Sequence, residues 1–541
     1  MNFDASISEA FEDSERGFQH SRQTIFEHVL QPLQSNKLFQ EEAQNESEIS
    51  TVKPLQDLIV LWERLRDVVA LNVYDSHLYA EHKCEISSTT MVERSEDWIA
   101  IYLEMAPCLC DLVAGNCLQS SSKFVNLPPD FLKCLTGEHC EANGLSKKST
   151  PELLQYLLLL PLERIQEYVN FLDKIHSRSD IDETDHLTEV LSAWRLLQEH
   201  SSRELDSARL TRSFWDSAPR KLVDVHCLSN RRLILDSRSS PITLISGSIT
   251  PRGLLTPYFV LFNDIFLYYQ YGTSSAFALE TVWVEPVPLE NENILENVFQ
   301  LTMPEDNLTF LTDSAEGKTR WIAAFNQAIC TVLENGKLLI HDSPRKWSLS
   351  HLRNNSSKNL ANSRRCPPLA RRAKHLFKNH PLFTGAVYTG AWSVGKMQGK
   401  GELIWPNQRK FLGSFRDSLQ NGDGELTIKS EEGETVYTGA WVNGLMCGQG
   451  MVKYPNGDTF EGFFDADTRH GFGILKRGKL YNTAASIYVG EWKRNKKHGY
   501  GVYDEKQLGE VYYGMWKEDT KHGHGAVVTI EHNLLRGLFL Q

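Results

Sequence analysis

From Tyr388 onward one pattern recurs, and it constrains the fold more than anything else in the chain. Take Tyr388, Phe411, Tyr437, Phe460, Tyr488 and Tyr512 as starting points; they lie 23, 26, 23, 28 and 24 residues apart. Two residues on, every unit has glycine: Gly390, Gly413, Gly439, Gly462, Gly490 and Gly514. Four residues on, every unit has an aromatic: Trp392, Phe415, Trp441, Phe464, Trp492 and Trp516. Paired glycines follow, from Gly399/Gly401 to Gly523/Gly525. Alternation of ring, glycine and ring puts all three on one face of a strand. The seventh position holds Gly395, Ser418, Gly444, Asp467, Asn495 or Asp519, which suit a tight turn. Each unit therefore reads as a β-hairpin. An isolated hairpin is marginal in water, so the units must stack. Burying one aromatic contributes roughly 4–6 kcal/mol. Three strand glycines cost roughly 1.5–3 kcal/mol, so burial wins only when the neighbouring unit covers the ring.

This pattern resembles the MORN repeat, whose arrays are elongated hairpin stacks mediating protein contacts and linked to membranes. In that reading Gly390, Trp392, Gly413, Gly439, Trp441, Gly462, Gly490, Trp492, Gly514 and Trp516 are structural. Leu535-x-Gly537-x-Phe539 begins a seventh unit before the sequence stops at Gln541, and the expectation is a truncated form of a longer protein.

The chain has 541 residues, more than one hydrophobic core supports. Residues 1–215 read as a helical bundle. Leu55, Leu58, Ile59, Trp62, Leu65 and Val69 make one helical stripe. Leu158, Pro161, Leu162, Ile165, Tyr168, Val169 and Leu172 make a second, with Pro161 starting or kinking its helix. Leu187, Val190, Leu191, Trp194 and Leu197 make a third, and 134–151 reads as a loop. Residues 225–338 change to strands at 242–245, 258–262, 265–269, 282–287 and 298–302. A helix follows, capped by Asp313 or Ser314 and burying Trp321, Ile322, Phe325, Ala328, Ile329 and Val332. Residues 339–384 read as a basic linker, and 385–541 as the repeats. The fold class is multidomain α+β: an N-terminal helical bundle, a small antiparallel β-barrel with a C-terminal helix, and a β-hairpin solenoid.

The segments 256–269 and 316–329 resemble a pleckstrin-homology domain. Phosphoinositide-binding members place several basic residues about the first strands; here Arg252 sits in the loop, with Arg231, Arg232 and Arg238 upstream. Leu160 to Tyr168 resembles the signature helix of Dbl-homology exchange factors, and Ser14 to Phe18 resembles their first helix. Glu163 and Glu167 depart from that pattern, standing where a Gln and a basic residue are usual. The order Dbl-like bundle, pleckstrin-like domain and MORN array resembles the alsin family, and Met446 to Gly450 is similar to its repeats. The resemblance implies a guanine-nucleotide-exchange-related GTPase regulator. Glu15 and Arg164 would meet the GTPase, and full-length members exchange nucleotide on an early-endosomal Rab through a C-terminal vacuolar-sorting-type domain. It also implies self-association, pairing with alsin, and a cytoplasmic place peripheral to endosomes. A Rho-type exchange factor acting through the bundle, and a MORN membrane tether, are the alternatives.

Charge and motifs bound the chemistry. The net charge is −12, yet His341 to His380 holds ten Lys or Arg against one acid, Asp342. Arg364, Arg365, Arg371 and Arg372 are its candidate contacts with an anionic membrane. There is no phosphate-binding loop, HExxH or nucleophile elbow, so no catalytic residue, cofactor or nucleic-acid partner is expected. Cys108-x-Cys110 and Cys134-x4-His139-Cys140 match no common zinc spacing, and no metal is expected. No signal peptide is visible in this sequence, and the ten cysteines are expected to be reduced thiols.

Overall fold

The computed structural model describes residues 5–36, 53–78, 92, 94–115, 117, 149–177, 184–247, 257–286, 297–338, 366–478, 485–531 and 533–539. The helical part comprises α1 (Ala5–Ile25), a π-helical turn (Phe26–Leu30), α2 (Gln31–Ser35), α3 (Lys53–Leu78) and α4 (Ser95–Ala114). It continues through α5 (Thr150–His176), α6 (Thr184–Ser217) and α7 (Arg220–His226). The three stripes face one core. Leu55, Leu58, Trp62 and Leu65 are buried, as are Ile165, Tyr168, Leu172, Leu187, Trp194 and Leu197. The Val69 side chain lies outside the described residues, as do Cys134, His139 and Cys140.

Pro161 does not start its helix. The start is set three turns earlier, where Ser149 and Glu152 form a capping box and Pro151 occupies the first turn. Each partner satisfies a backbone N–H that the helix leaves open, which fixes the start more firmly than a proline. Pro161 is tolerated inside the helix and is itself buried.

The next part has two four-stranded antiparallel sheets. One has the order β1 (Leu233–Asp236), β3 (Tyr258–Phe262), β4 (Ile265–Gln270), β5 (Thr273–Ala278). The other runs β2 (Ile242–Ser246), β8 (Asn307–Thr312), β7 (Val298–Thr302), β6 (Trp283–Pro286). The helix α8 (Ala315–Leu338) follows, and the Ser314 hydroxyl accepts the Gly317 N–H at 3.0 Å as its cap. Trp321, Phe325, Ala328 and Ile329 are buried, while Ile322 and Val332 are half-buried. The end of α6 packs onto the first of these sheets, with the Trp215 and Phe262 rings stacked at 5.2 Å.

The last part is one 14-stranded sheet in strict sequence order, β9 (Ala370–Leu376) to β22 (Leu534–Phe539). Six hairpins succeed one another, β10–β11 (387–404) to β20–β21 (510–529). Facing glycines meet at every strand pair from β10–β11 to β21–β22, as Gly439 does with Gly450 and Gly450 with Gly462. The reason is steric. The Tyr437 ring lies flat over this glycine row, and its hydroxyl donates to the Ala440 carbonyl at 2.9 Å. A Cβ on Gly450 would come within 2.6 Å of that ring.

The second aromatic stands edge-on to two first aromatics. Trp441 meets Phe411 at 5.1 Å and Tyr437 at 5.3 Å, and the herringbone runs on to Tyr512 against Phe539. At the hairpin tips the seventh position is left-handed throughout, from φ 65° at Asp467 to φ 87° at Gly444. The tips also bridge repeats: Asp467 accepts the Met446 N–H at 2.7 Å, Asn495 that of Arg469 at 2.8 Å, and Asp519 that of Lys497 at 2.8 Å.

One boundary differs from the sequence reading. Residues 370–376, assigned to the linker, form β9 and pair with β10 along its length. Their inward positions are Arg371, Ala373 and His375, which carry no apolar alternation to betray a strand.

Candidate functional site

The site is built where α1 meets α5. Both helices turn charged residues toward each other at the edge of an apolar core. Arg164, with 3% of its side chain exposed, faces Glu15, with 11%. Its Nε and Nη2 donate to Glu15 Oε2 at 3.1 and 2.5 Å, and its Nη1 donates to Ser14 Oγ at 2.7 Å and to Glu167. The Tyr168 hydroxyl donates to Glu15 Oε2 at 3.2 Å. Phe11, Phe18 and Tyr168 ring the guanidinium at 5.0–5.7 Å. Burial works against the Arg164 charge, but Glu15 and Tyr168 more than offset it, and its pKa is raised. Burial, then the Glu15 charge, pushes the Tyr168 phenol well above its usual range, so it serves as a neutral donor.

A shallow groove of about 320 Å³ opens beside this cluster, lined among others by Phe11, Ser14, Arg164, Glu167 and Lys174. Glu167 is half exposed at its rim. Glu163 is exposed and lines a separate groove with Arg209.

The repeat sheet offers two faces of different character. One carries the buried rings. On the other, the N-terminal strands present chiefly polar residues, Thr389, Lys400, Glu402, Ser414, Asp423 and Glu425, beside the exposed Leu412 and Val442. From β16 (Thr459–Asp465) onward this face also carries Phe463, Phe472, Tyr500, Tyr513, Met515 and Leu538, each 42–59% exposed, beside the acids Glu461 and Glu491. Since the same fold accepts polar residues there, the apolar set is not demanded by the hairpins.

Residues 23–215 match the family model of the ALS2 DBL homology domain (DH-domain), and 219–335 match that of the alsin PH-like domain. Segments 388–408, 437–459, 460–478, 488–504 and 512–526 match the MORN repeat. Alsin of Mus musculus is 30% identical over 518 residues, covering 94% of this chain and 29% of that protein. The chain belongs to the alsin family. The ALS2 C-terminal-like protein of Bos taurus is 32% identical over 289 residues, covering 52% of this chain and 27% of that protein. The chain thus spans less than a third of either relative's length. Among solved structures, PDZ-RhoGEF DH/PH domains in complex with GTP-gamma-S activated RhoA align at 12% identity over 60% of this chain and 94% of that one. The TM-score of 0.36 is too low to carry an argument.

The alsin-family helical module therefore brings Glu15 and Arg164 together, but against each other. Sequence reasoning did not foresee the parts of Ser14, Glu167 and Phe18. The signal was present: Ser14, Glu15 and Phe18, like Arg164, Glu167 and Tyr168, fall at helical spacing on one face. The candidate membrane residues separate. Arg364 and Arg365 lie outside the described residues, as does Arg252. Arg372 is exposed on β9.

Arg371 is a correction, since it is only 7% exposed and unavailable to a membrane. Its guanidinium lies 4.1 Å from the Trp283 ring and donates to the Val282 carbonyl, while Trp283 Nε1 donates to the Leu369 carbonyl at 2.8 Å. A planar cation is at home on an indole face.

The three arginines upstream of the Arg252 loop are engaged within the chain. Arg231 pairs with Asp264, Arg232 with Asp111, and Arg238 lies over the Tyr258 ring at 4.5 Å. Cys108 and Cys110 sit on α4, and burial pushes both thiols up to about 12, so neither is a ready thiolate ligand.

Proposed function

We propose that these residues serve as a small-GTPase-regulator scaffold of the alsin family, which binds and assembles without itself accelerating nucleotide release. The observation that carries this reading is the buried Glu15–Arg164 pair. A glutamate that touches a GTPase switch region must present its carboxylate outward. Turning Glu15 out would strand a buried guanidinium, at a cost of about 3–5 kcal/mol. The proposed partner is an early-endosomal Rab, and the proposed place is the cytoplasmic side of endosomal membranes. A Rho-type exchange factor is the second reading, favoured by the DH and PH-like modules standing in immediate succession.

Release of fluorescent GDP from a panel of Rab and Rho proteins, with micromolar chain, distinguishes the two. The expected result is no acceleration on any of them. A rise of roughly tenfold, about 1.4 kcal/mol in barrier, that is lost on Glu15→Ala would establish the exchange factor instead.

Assembly with a second copy, or with alsin, is supported by the exposed apolar residues on the C-terminal half of the outer sheet face. Its six side chains, about half exposed, offer on the order of 500 Å² per copy, approaching the roughly 800 Å² per partner of a standard interface. Light scattering of the full chain should give a mass above that of one chain. Phe472→Glu with Tyr500→Glu should return it to the monomer. A monomeric wild type at micromolar concentration would remove self-assembly from the reading.

A further inference from the structure

On the ring-bearing face, the ninth residue after each repeat start pairs across its hairpin with the second aromatic. Met397 faces Trp392, Gln420 faces Phe415, and Met446 faces Trp441. In the last three repeats the position turns cationic: Arg469 faces Phe464, Lys497 faces Trp492, and Lys521 faces Trp516. Met397, Gln420 and Met446 show that the stack is covered without a charge at this position. Three successive cations are therefore not required by the hairpins.

Their surroundings point the same way. The Arg469 guanidinium lies 4.4 Å from the Trp492 ring and 5.4 Å from Phe460. Lys497 Nζ is enclosed by Tyr488, Tyr503 and Trp516 at 4.9, 4.3 and 4.7 Å, and Lys521 Nζ sits 4.8 Å from Tyr512. Several lysines elsewhere on the array are ion-paired, as Lys396 is with Asp417, Lys410 with Glu402, Lys429 with Glu434 and Lys496 with Glu518. Among the described residues, none of the three ring-face cations has a carboxylate within ion-pairing distance. Arg469 reaches only Asn495, donating to its carbonyl at 3.0 Å. Burial, with Arg477 nearby, holds the Lys497 ammonium down at about 8, although Asp519 and Glu505 pull the other way. Burial also lowers Arg469. An incoming anion would relieve both.

The spacing selects the anion. The three cations stand on β17 (Thr468–Arg477), β19 (Lys496–Glu505) and β21 (Thr520–Thr529), every second strand of the sheet. Two strand spacings are about 9.6 Å. A polyproline II helix advances about 9.3 Å per turn of three residues, whereas every second residue of a β-strand advances about 6.7 Å. We propose that this face docks an extended acidic peptide of a partner protein, bound as a polyproline II segment with a carboxylate at every third residue. A bilayer is the poorer fit. Its headgroups would meet protruding tip residues such as Lys496, already paired with Glu518, while these three heads lie half-buried among rings.

The test uses the full chain and a Glu-Pro-Pro repeat peptide bearing a neutral fluorophore, read by anisotropy. Comparison probes are a Gln-Pro-Pro repeat, a Glu-Pro repeat of equal charge, and phosphatidylserine vesicles. The triple variant Arg469→Met, Lys497→Met, Lys521→Met installs the residue that repeats one and three already carry, so the stack stays covered, and a melting curve confirms it. The expected result is saturable, salt-sensitive binding of Glu-Pro-Pro, weakened roughly tenfold or more in the triple variant. Glu-Pro should bind less well and Gln-Pro-Pro not at all. No saturable binding, equal affinity for Glu-Pro, or an unchanged affinity in a folded triple variant would overturn the proposal. Vesicle binding that falls in the triple variant while peptide binding does not would replace it with a membrane site.

Discussion

Replacing Trp441 with alanine should destabilise the centre of the repeat sheet by about 3–5 kcal/mol, the range for truncating a large buried ring. Trp441 is 2% exposed and stands edge-on between Phe411 of the preceding repeat and Tyr437 of its own. Its removal opens a cavity shared by two repeats. Neither can collapse into it, because the first aromatics are pinned flat over the glycine row, Tyr437 by its bond to the Ala440 carbonyl. In a stacked array the loss falls first on nearest neighbours. Hydrogen exchange of the full chain should therefore show a protection loss of roughly a hundredfold or more in β13 (Leu419–Ser430) to β15 (Leu445–Lys453), with the helical part unchanged. Val442→Ala is the control, since Val442 is the next residue, on the opposite face, and 47% exposed. A Trp441→Ala loss no larger than that of the control would mean the rings do not hold the repeats together.

The second large effect is expected at the α1–α5 pair. Arg164→Met leaves the Glu15 carboxylate buried with only the Tyr168 hydroxyl as donor, and Glu15→Ala leaves the guanidinium with the half-exposed Glu167. Each single change should cost about 3–5 kcal/mol, because an uncompensated charge is left in the core edge. The joint change Glu15→Leu with Arg164→Met should cost much less, since both charges leave together. Thermal melts of the four proteins close the cycle, and the coupling should be several kcal/mol in favour of the pair. If Glu15→Ala is nearly silent in stability, the pair is solvated in solution and its carboxylate is available to a partner.

What could be read from one sequence follows from how locally each requirement is expressed. Each repeat states its needs within about one hairpin: ring, glycine, ring, a left-handed turn, and a glycine pair whose second member beds the repeat's own first ring. Recurrence at Tyr388, Phe411, Tyr437, Phe460, Tyr488 and Tyr512 makes hairpins and their stacking legible in the sequence. The three helical stripes were legible for the same reason, each being a local period with a single buried face. Strand β5 was not, because its Thr273, Ser274 and Ser275 are exposed and carry no apolar pattern.

The partners of the charged residues were decided only in three dimensions. Glu15 and Arg164 are 149 residues apart, and nothing local says whether each turns outward to a partner or inward to the other. Arg371 read as part of a basic linker because a charge signals solvent until a ring appears beneath it. Trp283, 88 residues earlier, supplies that ring and makes the segment a strand. The sequence alone thus determined the repeating units, their turns and their periods, which depend on neighbours along the chain. Tertiary structure decided which charges are spent internally and which remain for a partner, because burial and pairing depend on residues far apart in sequence.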